Sequence, residues 1–269
     1  MDSRILFFVI LLCCFLSACT GNITPDPFPP QTKSTRYLLV LVHGSGDTAT
    51  DWPAELIAKV QAVIADLDAW DIVAYDWGRY AADKASASTT GLAIGRYIGE
   101  QLAAAAYCYD RIQLIGHSVG SFVVQGVCDA YRTNGGTAWV HLTFLDPFTG
   151  KGFVDWTYGQ RRFGEGADFA EAYLNTDDPV PSTNSSLSHA HNFDVTALAP
   201  DLLSSRDRHW WPVLFYIESI EHATGRYGYP LSLMATGDNN PVTQSEFPVG
   251  KTTILSGTEE GFVLKHNPF

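Results

Sequence analysis

Charge is scarce in this chain of 269 residues. Asp, Glu, Lys and Arg together make up 17%, the formal net charge is −12, and Lys and Arg never occur in a run longer than two. A nucleic-acid-binding surface needs a basic patch, so the composition argues against that class and favours a neutral substrate over a polyanionic one. A long apolar run is also missing. The longest, Ile5 to Leu16, falls short of the roughly 20 residues that a membrane-spanning helix needs. No internal repeat is present, and no low-complexity tract beyond one proline-rich stretch. What is there instead is apolar and aromatic: 46% hydrophobic residues, 13% aromatics and a mean hydropathy of −0.01. That composition is globular and excludes disordered, collagen-like and coiled-coil classes.

Arg4 precedes the apolar run Ile5 to Leu16, the pattern of a secretory signal. The run ends Leu16-Ser17-Ala18-Cys19, which resembles the lipobox of bacterial lipoproteins, a family in which the Cys is diacylated and becomes the new N-terminus. The resemblance implies that residues 1–18 are a removable signal. It also implies an exported cell-envelope protein held at the membrane by lipid on Cys19; the alternative is an ordinary signal and a secreted protein. Residues 19–36, with Pro25, Pro27, Pro29 and Pro30, then read as an extended, lipid-anchored tether. Of five cysteines, Cys13 and Cys14 leave with the signal and Cys19 bears the anchor, so Cys108 and Cys128 remain, as a disulfide or as two buried thiols.

From Tyr37 onward, short apolar runs alternate with amphipathic ones. Strands are expected at Tyr37–Val42, Ile72–Tyr75, Arg111–Gly116, Val140–Leu145 and Phe169–Asn175. Helical spacing covers Ala54–Leu67, Leu92–Ala106 and Phe122–Tyr131. This alternation predicts an α/β fold, a mostly parallel sheet with helices on both faces. From about Tyr229 the chain is richer in Gly, Pro, Thr and Asn, with strand-like runs at Thr252–Leu255 and Phe262–Leu264. This part reads as a C-terminal extension packed on one domain spanning 37–269.

Gly116-His117-Ser118-Val119-Gly120 matches G-x-S-x-G where a strand turns into a helix. Glycines on both sides permit the sharp turn that exposes a nucleophilic hydroxyl, so Ser118 is the candidate nucleophile. Such a Ser needs backbone N–H donors for the developing oxyanion. Val119 follows it at a helix N-terminus, and Ser45 lies in the loop His43-Gly44-Ser45-Gly46 after the first strand. An acid and a base should follow in the order Ser, Asp, His. Asp146 ends one strand, and Asp177 and Asp178 follow the next. His209 and His191 compete as the base.

The order of these pieces resembles the catalytic domain of the pancreatic-lipase-like α/β-hydrolases, which include phospholipases A1. The matching segments are Val42-His43-Gly44, Ala74-Tyr75-Asp76-Trp77, Leu114 to Gly120, Thr143 to Pro147, Ala167-Asp168-Phe169, Leu174 to Asp177, His191 to Asp194, and His209 with Tyr216 to Ile220. The resemblance implies Ser118 as nucleophile, Asp146 as acid, His209 as base, and Ser45 with Val119 as oxyanion donors. It implies hydrolysis of acyl esters of lipids through an acyl-enzyme, without a cofactor. An amidase, a thioesterase or a non-catalytic envelope binding protein on the same fold is the alternative.

Three departures narrow the expectation. The stretch Val195–Arg208, where larger relatives carry a disulfide-bounded lid, is short and lacks Cys. The positions that hold acidic calcium ligands in the family read Phe163 and Gly166, so no metal is expected. The family's C-terminal lipid-binding sandwich has no counterpart. The implied fold also runs the nucleophile helix back along its strand toward Cys108, which favours a Cys108–Cys128 bridge. Phe148, Trp156, Tyr158, Phe163, Trp210 and Trp211, near the proposed acid and base, are candidates to line an acyl groove or to pack around loops.

Overall fold

The computed structural model describes residues 23–28, 35–106, 108–200, 203–221, 227–236 and 242–256. The expected signal, the expected lipidation site Cys19 and the strand-like run Phe262–Leu264 lie outside the described residues. Seven described strands form one all-parallel sheet: β1 Tyr37–Val42, β2 Trp70–Tyr75, β3 Arg111–His117, β4 Trp139–Leu145, β5 Phe169–Leu174, β6 His191–Asp194 and β7 Thr252–Ile254. Their order is β2-β1-β3-β4-β5-β6-β7. The longer helices are α1 Trp52–Val63, α2 Ala87–Ala103, α3 Gly120–Thr133 and α4 Ser205–Glu218.

A parallel sheet is covered on both faces, so its strands need no polar alternation. In β1 every residue is buried. Leu38, Val40 and Val42 join the core under α2 and α3, while Tyr37, Leu39 and Leu41 join the core under α1 and α4. That is why Tyr-Leu-Leu-Val-Leu-Val reads as an unbroken apolar run. The polar residues of β4 and β5 meet in one buried network, in which His141 Nδ1 is left without a partner among the described residues. Glu171 accepts from His141 Nε2 at 3.1 Å, from Thr143 Oγ1 at 3.0 Å and from the Tyr173 hydroxyl at 2.7 Å. A buried carboxylate is tolerable only when it is bonded in this way.

Helix α2 carries Gly91, Gly95 and Gly99, four residues apart, and so presents a side-chain-free stripe to α3. A Cβ at Gly95 would fall 2.1 Å from the Val123 carbonyl oxygen, and one at Gly99 would fall 2.4 Å from that of Val127. The two helices are therefore in backbone contact.

Several sequence expectations shift. Helix α1 begins two residues earlier than the apolar spacing suggests, with Pro53 in its first turn, and ends at Val63 because Ile64 is extended. Strand β6 is only four residues, His-Asn-Phe-Asp, too short and too polar to be read as a strand. The C-terminal extension does more than pack on the domain: Thr252–Ile254 pairs with β6 and completes the sheet. The described part of the tether is docked. Phe28 is buried against Tyr75, the Tyr75 hydroxyl donates to the Asp26 carbonyl at 2.9 Å, and Arg79 pairs with the Asp26 carboxylate at 2.9 Å.

The Cys108–Cys128 bridge is not formed; both thiols are free. Helix α3 does run back along β3, but Cys128 is buried on the side that faces the Glu165–Gly166 loop, with its Sγ 3.8 Å from the Glu165 carbonyl oxygen. Cys108 is exposed in the connection between α2 and β3. Burial pushes the Cys128 thiol up to about 12, which makes it inert.

Because the α2–α3 contact is backbone on backbone, neither neighbour can yield by changing a rotamer. Gly95→Ala and Gly99→Ala should each destabilise the protein by about 1–3 kcal/mol, the usual range for overpacking, read as a lower urea midpoint at unchanged m-value.

Candidate active site

The sheet changes direction of winding at β1, which pairs with β2 on one side and β3 on the other. At such a switch point the loops leaving the carboxyl ends of the strands part and open a crevice, where open α/β sheets bind ligands. The His43–Gly46 loop leaves β1 there, and Ser118 leaves β3.

Ser118 has φ 53°, in the left-handed region that a side chain disfavours by about 1–3 kcal/mol. Two features over-determine it. Its N–H donates to the Leu145 carbonyl at 3.0 Å, and the Phe148 N–H donates to its own carbonyl at 3.2 Å. The flanking chain is also packed beyond what a side chain would allow. A Cβ at Gly120 would lie 2.6 Å from the carbonyl oxygens of both Val42 and His43, and one at Gly44 would lie 2.9 Å from the Ser118 Cβ. These glycines let the loop after β1 press against the turn at Ser118.

That loop is held from behind. His43 is buried, its Nδ1–H donates to the Gly44 carbonyl at 2.8 Å, and the Trp77 indole donates to the His43 carbonyl at 2.8 Å. The Ser45 and Val119 amides donate to no group among the described residues. Val119 caps the N-terminus of α3, so its N–H lies at the positive end of a helix.

Asp146 follows β4 and also has positive φ, 42°, with its N–H donating to the Tyr173 carbonyl at 2.9 Å. It is fully buried, and its Oδ2 lies 2.8 Å from His209 Nδ1. A second carboxylate meets the same nitrogen: Asp178 Oδ2 is also 2.8 Å from His209 Nδ1. Sequence reasoning treats Asp177 and Asp178 as rivals of Asp146, whereas adjacent parallel strands place Asp178 beside it. Asp177 points outward and pairs with Arg208 at 3.5 Å. His191, the rival base, lies in β6 with both ring nitrogens engaged, to the Pro248 carbonyl at 2.9 Å and the Thr253 hydroxyl at 2.8 Å.

His209 sits in the first turns of α4, whose start is fixed by a capping box between Ser204 and Asp207. Pro212 lies inside the same helix and has no N–H to offer the carbonyl four residues back, that of Arg208. The freed Arg208 oxygen accepts from the Asn175 side chain at 2.8 Å, so the loop after β5 is tied to the backbone next to His209. Burial alone would lower the His209 pKa. The hydrogen bonds and charges of Asp146 and Asp178 outweigh it and raise the imidazole to about 9.

His117, next to Ser118, brings the two halves together. Its ring centroid is 4.8 Å from that of His209, and its Nε2–H donates to the His209 carbonyl at 3.2 Å. Burial lowers its pKa, and its Nδ1 faces Asp47 at 3.4 Å, too long for a good hydrogen bond. Trp210 packs edge-on against the His117 ring, while Trp211 and Phe163 are core residues. Phe148 and Tyr158 pack at the margin of the core under α2 and α3, and Trp156 is exposed. A cavity of about 250 Å³ is lined by Asn175, Asp177, Leu203 and Arg208 among others, and His209 is not part of its wall.

Asp146, Asp178 and His209 form the one group among the described residues whose atoms could converge on a metal. Their arrangement is that of an N–H between two carboxylates, which leaves no lone pair on Nδ1 for a cation.

Comparison with known proteins gives one family. The sequence model described as "Alpha/beta hydrolase family" matches residues 39–250. No curated protein matches the chain. Among solved structures, the RedJ thioesterase of the prodiginine biosynthetic pathway of Streptomyces coelicolor is similar at 17% identity and TM-score 0.30, over 50% of this chain and 49% of that one. A lipase-esterase related protein from Clostridium acetobutylicum is similar at 17% identity and TM-score 0.29, over 45% of each chain. The chain thus spans about half the length of these two. RedJ with a polyethylene glycol molecule in its active site aligns over 74% of this chain and 97% of its own, at 16% identity and TM-score 0.34.

The His209 environment fixes the sign of a titration. A proton NMR titration of the His ring signals should find His209 half-protonated near pH 9, well above the ordinary 6.5. The stability that His209 gains from its carboxylates is then complete below about pH 6.5 and lost as pH rises through about 9.

Proposed function

The chain belongs to the alpha/beta hydrolase family, and on that premise we propose that it is a serine ester hydrolase of the pancreatic-lipase-like type, cleaving acyl esters of lipids. The observation that carries this reading is the strained Ser118 beside two amides that donate to no group among the described residues, with His209 held through Nδ1 by buried carboxylate. A hydroxyl in a left-handed elbow, backbone donors and an imidazole held through Nδ1 are the parts that acyl transfer requires, and with that imidazole raised to about 9 its Nε2 becomes available for the Ser118 proton as pH rises toward that value.

In the proposed reaction Ser118 Oγ attacks the ester carbonyl carbon as its proton passes to His209 Nε2. The carbonyl oxygen becomes the oxyanion and is received by the Ser45 and Val119 N–H groups. Collapse breaks the bond to the alkoxy oxygen, which takes the proton from His209 and leaves as the alcohol. A water molecule then repeats the sequence on the acyl-Ser118 ester and releases the acid. Asp146 accepts from Nδ1–H throughout, which fixes the tautomer and supports the imidazolium.

The lipid part of the reading is supported by the loop after Asp146. Lys151 and Asp155 form a one-bridge turn, and the two residues at its tip, Phe153 and Val154, are 73% and 94% exposed, with Trp156 half-exposed beside them. Gly152 N–H donates to Ser88 at the start of α2, so the tip lies toward the carboxyl edge of the sheet, on the side of the proposed site. An exposed apolar tip there suits contact with a lipid surface. Export, a lipid anchor on Cys19 and a single domain are part of the same proposal, since a lipid-held enzyme would need no basic patch to stay at a membrane.

Ser118→Ala should lower turnover of chromogenic acyl esters by at least about 10⁴-fold and abolish labelling by a fluorophosphonate probe. Retained turnover or labelling would sink the reading in favour of a binding protein. Replacing Phe153 and Val154 together by Ser should weaken co-sedimentation of the Ser118→Ala protein with phosphatidylcholine vesicles by about tenfold or more. Unchanged sedimentation would remove the lipid surface from the proposal.

A further inference from the structure

The chain from Thr24 to Phe28 is clasped by the segment that leaves β2. The Tyr80 hydroxyl accepts from the Thr24 N–H at 3.0 Å and donates to the Thr24 carbonyl at 2.9 Å. Arg79 donates to the same carbonyl and pairs with the Asp26 carboxylate. The Tyr75 hydroxyl holds the Asp26 carbonyl, and Phe28 is buried against the Tyr75 ring. The chain is held again at the other end of β2, where the Thr35 hydroxyl donates to Asp71 at 2.5 Å and the Arg36 N–H to the Ala69 carbonyl at 2.9 Å. A proline-rich leash has no need of such contacts.

The clasp sits at the carboxyl end of the strand. Tyr75 is the last residue of β2, and Arg79 and Tyr80 belong to the short helix Gly78–Ala81 just beyond it. Asp76, between them, reaches His43 Nε2 at 3.2 Å, in the loop that carries Ser45. Ser88, a little further along the same connection, holds the turn that bears Phe153 and Val154. The clasp and the turn are therefore fixed to opposite ends of one short piece of chain, 78–88. Between them they carry Ile23, Phe153, Val154 and Trp156, half of the large apolar side chains that the described residues leave exposed.

Cys19 lies five residues ahead of Thr24. Five residues reach at most about 18 Å, and β2, at six residues, is about 20 Å long. Lipid on Cys19 would thus be kept to the carboxyl side of the sheet. We propose that residues 23–28 are a fixed arm that turns this edge, with the Phe153–Val154 tip and the proposed catalytic groups, toward a lipid bilayer. The proposal rests on the lipid-anchor and lipid-surface readings and adds an orientation to them. With a formal net charge of −12, the chain has no overall attraction to anionic lipid, so two apolar points, the acyl group and the tip, must set its orientation.

The test uses the full-length protein isolated with its membrane anchor and reconstituted in phosphatidylcholine vesicles with ordinary or brominated acyl chains. The N-terminal peptide is identified by mass. Bromine quenches indole fluorescence only at close range, and the Trp156 contribution is the difference between wild type and Trp156→Phe. In wild type that contribution should fall by about half in brominated vesicles, as expected for a tip seated at the headgroup–acyl boundary. Arg79→Glu with Tyr80→Phe opens the clasp and should abolish the quenching. Inserting about twelve Gly and Ser residues between Gly21 and Asn22 keeps the clasp but frees the anchor from it, and should abolish the quenching too. Quenching retained in either variant overturns the proposal, and the insertion decides alone if the double variant fails to fold. An N-terminal peptide without acyl groups ends the anchor reading and the proposal with it. No quenching in acylated wild type ends the lipid-surface reading and, again, the proposal.

Discussion

The site depends on one steric constraint: the chain leaving β1 and the turn leaving β3 approach each other more closely than a methyl group permits. Gly44 and Gly120 are the contact points, with Val42 and His43 carbonyl oxygens and the Ser118 Cβ on the other side. Remove that approach and three things separate at once. Ser118 loses the packing that offsets its left-handed conformation, and the loop carrying the Ser45 amide, the proposed oxyanion donor, is no longer pressed against the turn at Ser118. His117, whose Nδ1 would lie 3.0 Å from a Cβ on Gly44, loses the position from which it braces His209.

The rest of the machinery is assembled by strand adjacency. β3, β4 and β5 are consecutive neighbours in the sheet, so the residues just past their ends lie side by side whatever their separation in sequence. Backbone bonds step across these ends, from Ser118 to Leu145 and from Asp146 to Tyr173. His209, the proposed base, is the one component not carried by a strand end. It comes from a helix, and a proline defect in that helix frees the carbonyl that Asn175 grips. A helix irregularity here joins the base to the sheet.

Much of this was legible in the sequence because two strong signals coincide. The run of β1 is apolar throughout and fully buried, β3 carries Ile112, Leu114 and Ile115 in its buried part, and the Gly-x-Ser-x-Gly turn has few structural solutions. What escaped was local information too weak to read. β6 spans four residues, three of them polar, and it is held in place by the Asn192 N–H bond to the Lys251 carbonyl rather than announced by its pattern. The cysteine pair failed for a rotational reason. A helix running toward Cys108 fixes how far Cys128 lies along its axis, not which way the thiol turns, and the thiol turns toward Glu165. Asp178 was visible only as an alternative to Asp146, because sequence order ranks candidate acids one against another. Only the parallel register shows that both reach the same nitrogen.

The placement of β7 bears on how the chain reaches this state. β6 and β7 are neighbours in space, yet about 60 residues, including all of α4, come between them in synthesis order. A nascent chain therefore carries the open edge of β6 until Thr252 emerges, and an open strand edge is a template for pairing with other chains. Closing a parallel pair over so long a separation is also slow, since the loop entropy must be met before the ladder forms. Among the described strands, the last made is the one that covers the β6 edge, so loss of Thr252–Ile254 would turn a folding problem into an aggregation problem.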